Sequence, residues 1–581
     1  MTATGTLLER PRTAPVPAPD VLGVPGRRRR RRTHGLAWWF AIAVFVYLAL
    51  GALLAFHFDS FNGDAQARVG NAYYVLFSRD PHLAAIGFVW NPLPSMSVLP
   101  VLLLSKVWPA LAERAFAGNI MSAVFMAGTV AVLRGLLADL RLRRTEAVLL
   151  SLLFAIHPMV IYYGANGMSE GLFLFLLTLA TRYLMRYLES GSTRPLIGTA
   201  IVLGFAYFAR NEAVAAIACV TFLVFAVQVH RTRGSTRERV RAGVADAVIV
   251  VLPGFFAFVT WAVASWIIVR HPFEQFSSQY GTASQLGAMT AVGFKLADRG
   301  LAVQMSLLMA PLLAVVVLLS LRRVVRDRDL RLLAPIALLG AVLAFAFIAY
   351  LAGQTAGWFR YFMTAAPLLV VLTAGLLAPA PAGAAGHRAQ ASRARTGRRP
   401  YALLAMAAAV LPSLVGEGVA MANPGIGQEE YLHLSHVFRP APHVTTDLAP
   451  TPRARSLRER ELHPASSRIA GSLDGLHLPD GSIVTDTFSP CVPFIILASK
   501  HPKQFVITND RDFHQVLESP STFGARYILA PADGTLAGLD AVNTAYPTLA
   551  TDGGGVVDPE PAKAFREIGC PAFRLYAVQD Q

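Results

Sequence analysis

From Leu36 onward the chain repeats one pattern: a long apolar run, a short gap, another long apolar run. The runs lie at 36–57, 115–137, 146–163, 170–188, 195–209, 212–230, 245–269, 299–321, 332–352, 360–378 and 401–420. Runs of about 20 apolar residues match the ~30 Å hydrocarbon core of a bilayer when helical. In lipid the backbone must satisfy its own donors and acceptors, which leaves the helix as the structure such a run can adopt. The chain is therefore expected to be an α-helical polytopic membrane protein with about 11 spans. Arginine fills alternate gaps: Arg27–Arg32, 141–144, 230–241, 322–331 and 387–399. Basic residues collect on the cytoplasmic side. A further apolar stretch, 93–111, is interrupted by Pro94, Pro100 and Pro109, which break a helical ladder. If that stretch does not cross, every arginine cluster falls on one side; if it does, most of them invert. Segment 58–114 is thus expected to be one long outer segment, partly lying against the membrane. The N-terminus is then inside and residues 421–581 outside.

Composition agrees. Only 15% of residues are charged, against about 25% in soluble domains. The net charge of +16 raises the question of nucleic acid, but the basic residues sit in loops between spans and form no binding face, so no nucleic-acid partner is expected. Residues 1–35, rich in Pro, Arg and Ala, read as a disordered basic cytoplasmic tail. Leu36–His57 is too long for a signal-peptide core and reads as a retained first span. Beyond residue 420 the pattern changes to short β-like runs, 482–486, 504–508, 525–530 and 573–578, between helical or loop segments. That alternation predicts a small extracytoplasmic α/β domain over 421–581. Cys491 and Cys570 fall in it, where either a disulfide or two free thiols is compatible with the sequence.

With the topology fixed, unusual polar residues gather at the outer boundary. Asp64 follows the first span; Glu170 opens the fourth; Arg210 and Glu212 lie in the turn "FARNEA"; Arg360 and Tyr361 lie in "GWFRYF". Ionisable residues at membrane depth are costly and face protein or a wet cavity. Four such sites on separate hairpins point to one shared pocket. Each also has a plainer reading: Arg210 as an interfacial anchor, Glu170 as a carboxylate at a helix N-terminus, Arg360 as an ion-pair partner, Asp64 as an N-cap. After Asp64, residues Ala65, Val69, Ala72 and Leu76 make one apolar face, with Gln66, Arg68 and Asn71 elsewhere, predicting a helix along the membrane.

These segments resemble the GT-C superfamily of membrane glycosyltransferases, in the branch holding protein O-mannosyltransferases and aminoarabinose transferases. The resemblance lies in the first outer loop "FNGDAQARVGNAYYVLF", the stretch "LLFAIHPMVIYYGANGMSEGLFLFLLTLA", the "FARNEA" turn and "WFRYFMTAAPLLVVL", over about residues 36–380. It implies a GT-C-like transmembrane catalytic domain over 36–420. Asp64 matches the family's first-loop acidic residue, its catalytic base; Ala65 follows where protein mannosyltransferases have a second acid, so the match is to members with a single Asp. Glu170 matches the second acidic position, and Arg210 and Arg360 fall where the family places basic residues near a lipid phosphate. Glu212, Tyr361 and His57 are further candidates for substrate binding in the same cavity.

The resemblance further implies transfer of a sugar from a polyprenyl-phosphate donor to a hydroxyl of a glycan, lipid or protein acceptor, inverting, on the outer face of a plasma membrane. No cofactor is required by the sequence: it has no CxxC, HExxH, EF-hand, P-loop or dinucleotide motif. Some GT-C members use a divalent metal ion, which leaves metal dependence open. The rival expectation is a transporter or flippase of lipid-linked saccharides, which would show midplane polar residues, broken helices and repeat symmetry.

Overall fold

A computed structural model describes residues 27–291, 296–379, 399–440, 451–489, 491–532 and 537–579. Most of the expected N-terminal tail and of the basic cluster 387–399 lies outside these residues. The first helix starts at Arg27, inside the stretch expected as tail, and runs to Ala52 before a wider turn, Leu53–His57.

Among the described residues eight helices are long and apolar enough to cross a membrane, and two bent pairs, each taken as one span, bring the total to ten. The bent pairs are Arg144–Ala155 with Pro158–Ala165, at 59°, and Arg299–Met309 with Leu313–Asp327, at 69°. Proline explains both. Pro158 opens the second limb of its pair, where no backbone donor is needed. In the other, Ala310 precedes Pro311 and leaves the helical region (φ −155°, ψ 81°), as a residue before proline tends to. The remaining expected span, Thr193–Ala209, is a shorter apolar helix of 17 residues. Trp38, Phe45, Phe222 and Leu404 stand exposed on the bundle, a surface suited to lipid. Inside, small residues bring helices together. A Cβ at Gly171 would meet the Ser122 carbonyl oxygen at 2.9 Å. That glycine lets the helix Glu170–Ser190 start hard against Phe116–Asp139.

The stretch 93–111 does not form one helix of spanning length; it breaks into Leu93–Leu102, a tight turn to Lys106 and Ala110–Glu113. The helix after Asp64 forms as Gly63–Phe77, but both its faces are covered. Ala65, Val69 and Ala72 pack into the bundle, while Tyr74 enters the core of the C-terminal domain. Arg68 and Gln66, expected off the apolar face, are therefore buried too. Further clamps tie this segment to the C-terminal domain: Arg79 pairs with Asp510 at 3.2 Å and also with Asp512, and Asn509 donates to the Ala85 carbonyl at 2.8 Å.

The C-terminal region holds a five-stranded sheet: β1 Ile483–Thr485, β2 Phe505–Ile507, β3 Tyr527–Pro531, β4 Lys563–Phe565 and β5 Phe573–Ala577, in the order β2-β1-β3-β5-β4. β1 pairs in parallel with β2 and β3, and β5 is antiparallel to β3 and β4. β4 was not expected; it is a short edge strand, mostly exposed, and carries almost no apolar signal. Successive strand residues point to opposite faces. Ile483 packs against the helices Pro452–Asp474 and Val492–Ala498, and Val484 against Phe513 and Val542. Both faces are buried, which is why the parallel strands read as short unbroken apolar runs.

Cys491 and Cys570 form a disulfide, with Cα atoms 5.8 Å apart across a separation of 79 residues. Closing a loop of that length restricts the unfolded chain. Replacing both cysteines by serine is expected to cost the domain about 2–4 kcal/mol, read as a lower denaturant midpoint.

The seam between the first outer segment and this domain carries buried histidines. His463 stacks on Phe61, with ring centres 5.3 Å apart. Burial, helped by Arg114, holds His463 down at about 4. A folded-state value below the ordinary ~6.5 means that the unfolded chain binds the proton more readily. The stabilising contribution is thus complete above about pH 6.5 and is lost as pH falls towards 4. His463→Phe keeps the ring contact but binds no proton. It is expected to lose less melting temperature than the native chain between about pH 7.5 and pH 5, a difference worth about 1–3 kcal/mol.

Candidate active site

Each charged residue of the outer boundary is set by a local break in helix. Asn62 caps the helix Gly63–Phe77: its side-chain oxygen accepts from the backbone N–H of Asp64 at 3.0 Å and of Ala65 at 3.4 Å. Asp64 is therefore not the cap, and its carboxylate is left for other contacts. Glu170 is the first residue of its helix. Arg210 lies in the gap between Thr193–Ala209 and Ala213–Arg231, in extended backbone (φ −157°, ψ 143°). Arg360 and Tyr361 sit in a single tight turn, Phe359–Phe362, ahead of the helix Ala365–Leu377.

The fold brings these residues together. Arg360 Nη2 donates to Asp64 Oδ2 at 2.8 Å, and its Nε lies 3.4 Å from Glu170 Oε1. Arg210 Nη1 donates to the same Glu170 oxygen at 2.6 Å and Nη2 to Glu212 Oε1 at 2.7 Å. Tyr361 lies between the two cations, its ring centre 5.2 Å from the Arg210 guanidinium carbon and 5.4 Å from that of Arg360. An aromatic face attracts each cation and lets two like charges stand close together. Beside them opens a narrow cleft lined by Glu170, Phe173, Arg210, Glu212, Arg360 and Tyr361, among others. Asp64 is not in that lining; it sits beside the cleft, on Arg360. Its side chain is 39% exposed, against 5% for Glu170 and 6% for Arg360, so among these carboxylates it is the one within easy reach of an arriving molecule. Arg210 and Arg360 are thus ion-pair partners, and Arg210 does not reach for headgroups. His57 is not brought in: it is exposed at the end of the first span, its ring against Phe58.

Three participants escaped the sequence. Arg68 is buried, its guanidinium 4.9 Å over the Trp90 ring, and its Nε has no hydrogen-bond partner among the described residues. Burial lowers its pKa, with Asp64 and Glu170 opposing. It lies one helical turn after Asp64, a spacing that shares a face, and that was the available signal. Glu429, in the helix Gln428–Phe438 just beyond the last span, pairs with Arg360 Nη1 and accepts from Asn62 Nδ2 at 2.6 Å. Burial pushes its carboxyl up, against the pull of Arg360. Glu430 accepts from the Tyr163 hydroxyl at 2.6 Å. The C-terminal region, expected to begin as a separate unit at 421, therefore supplies side chains to the site.

Among the described residues no three His, Cys, Asp or Glu side chains are grouped to hold a metal ion. Asp64, Glu170, Glu212 and Glu429 are each engaged by a guanidinium and Glu430 by the Tyr163 hydroxyl, so the donor set does not fit a divalent ion, and no step below is routed through one.

Residues 109–261 match the family profile of dolichyl-phosphate-mannose-protein mannosyltransferases, a segment that includes Glu170, Arg210 and Glu212. This segment, about a quarter of the chain, is thus similar to a family of membrane mannosyltransferases. No curated protein sequence matches the chain significantly. Solved structures similar to it include ArnT from Cupriavidus metallidurans bound to undecaprenyl phosphate, at 12% identity and TM-score 0.48, covering 94% of this chain and 98% of that one. Another is the archaeal oligosaccharyltransferase AglB from Archaeoglobus fulgidus in complex with an inhibitory peptide and a dolichol-phosphate, at 12% identity and TM-score 0.44, covering 85% of this chain and 69% of that one.

Proposed function

We propose that this chain moves a sugar from a polyprenyl-phosphate donor to a hydroxyl of a glycan, lipid or protein acceptor at the outer membrane surface, with inversion and with Asp64 as general base. The observation that carries this is the 2.8 Å contact between Asp64 and Arg360 at the rim of an arginine-lined cleft. The donor's sugar phosphate rests in the cleft, against Arg360 and Arg210. Arginine is always charged and binds two phosphate oxygens at once. Asp64 meets the acceptor on the other edge of Arg360. The carboxylate takes the hydroxyl proton as the acceptor oxygen bonds to the anomeric carbon. The bond from that carbon to the phosphate oxygen breaks, and its electron pair leaves with the phosphate. Fixed guanidinium charge where the leaving group becomes more negative lowers the barrier without reorganisation. Arg68, a buried cation with no carboxylate bonded to it, adds positive potential on the same side.

The N-terminus is cytoplasmic in this proposal, and the domain after residue 420 lies outside the plasma membrane, above the cleft. Transfer of radiolabel from a polyprenyl-phosphate sugar, in membranes holding the native chain, tests the activity. Movement of the intact lipid-linked sugar across the bilayer, with no glycosidic bond made, would establish the transporter reading instead.

A further inference from the structure

Around the cleft the carboxylates Asp64, Glu170, Glu212, Glu429 and Glu430 outnumber the arginines Arg68, Arg210 and Arg360. A donor phosphate adds more negative charge to this buried place. Like charges brought together at low dielectric repel strongly, so one resident carboxylate must give way. Asp64 has to stay charged as the base. Glu170 and Glu212 are both hydrogen-bonded to Arg210. Glu429 is hydrogen-bonded to Arg360 instead: one oxygen serves Arg360 and Asn62, and the other, like the second oxygen of Glu170, is buried with no hydrogen-bond partner among the described residues. It also rides on a short helix, Gln428–Phe438, that follows the last span.

Building on the donor reading above, we propose that Glu429 is an internal competitor of the donor phosphate: it occupies Arg360 in the empty site and surrenders it when the phosphate binds. The exchange replaces one anion on a guanidinium by another, so Arg360 is never left as an uncompensated buried charge. It also couples donor binding to the helix Gln428–Phe438, which leads into the outer domain.

Binding of undecaprenyl phosphate to the purified chain in detergent tests this. Glu429→Gln removes the competing charge and is expected to bind on the order of tenfold tighter than the native chain. Equal or weaker binding would overturn the proposal and make Glu429 a mere support for Arg360. Arg360→Lys separates the two levels. If it binds as well as the native chain, the phosphate does not lie at Arg360 and the donor reading fails as well. If it binds weakly while Glu429→Gln is not tighter, the competitor alone fails. Should Glu429→Gln not fold, amide exchange of residues 428–438 in the native chain decides: undecaprenyl phosphate is expected to speed it, and unchanged or slower exchange would overturn the idea. An equal response to inorganic phosphate would also overturn it, because the competitor would then not be the lipid-linked donor.

Discussion

Asp64→Asn is expected to lower the rate of sugar transfer by about 10²–10⁴-fold, the usual contribution of a positioned general base. The substitution keeps the shape of the side chain and an oxygen to accept from Arg360, but it removes the site that takes up the acceptor's proton. Asn62 still caps the helix Gly63–Phe77, and the apolar contacts of Ala65, Val69 and Ala72 with the bundle are untouched. Folding and membrane insertion are thus expected to be unchanged, and undecaprenyl phosphate to bind within about threefold of the native chain, since the bound phosphate lies against the arginines. The check is a turnover assay with labelled polyprenyl-phosphate sugar alongside a melting curve. Transfer near the native rate with the asparagine in place would remove Asp64 as the base.

Arg360→Ala is expected to damage both stability and transfer. One guanidinium is shared by Asp64, Glu429 and Glu170, and it is 6% exposed. Removing it leaves neighbouring buried carboxylates without their counter-charge, a loss of about 3–5 kcal/mol. Transfer is expected to fall to background, since both the leaving phosphate and Asp64 lose their partner. Pairing the change with Glu429→Gln removes one orphaned charge and is expected to return about 1–3 kcal/mol of the stability. A double variant no more stable than Arg360→Ala would show that the two side chains do not share an interaction in the folded protein.

Much of the architecture is legible in the chain because it depends on short-range chemistry. Span length follows from bilayer thickness. The breaks at Pro158 and Pro311 follow from a missing donor and a crowded preceding residue. The first span was read from Leu36, and the apolar span begins at Gly35; the helix itself extends back to Arg27, because hydropathy marks where lipid begins and not where the helix does. β4 was missed because an exposed edge strand of three residues has no inward face to pattern.

The site divides in the same way. That charges would collect at the outer boundary, and that Asp64 would stand at the head of a helix, follows from hydropathy, parity and periodicity within a few residues. Which charges touch is set by packing between distant segments: Arg360 meets Asp64 across 296 residues and Glu429 across 69. Local pattern placed Arg68 on a polar face, and tertiary packing buries it over Trp90, beside the charges of the site. The sequence alone thus determined a membrane bundle with acidic and basic groups gathered at the ends of its apolar runs. Only the tertiary structure decided which carboxylate remains open and which arginine it shares, because ion pairs in a buried site are chosen by the geometry of everything that excludes water around them.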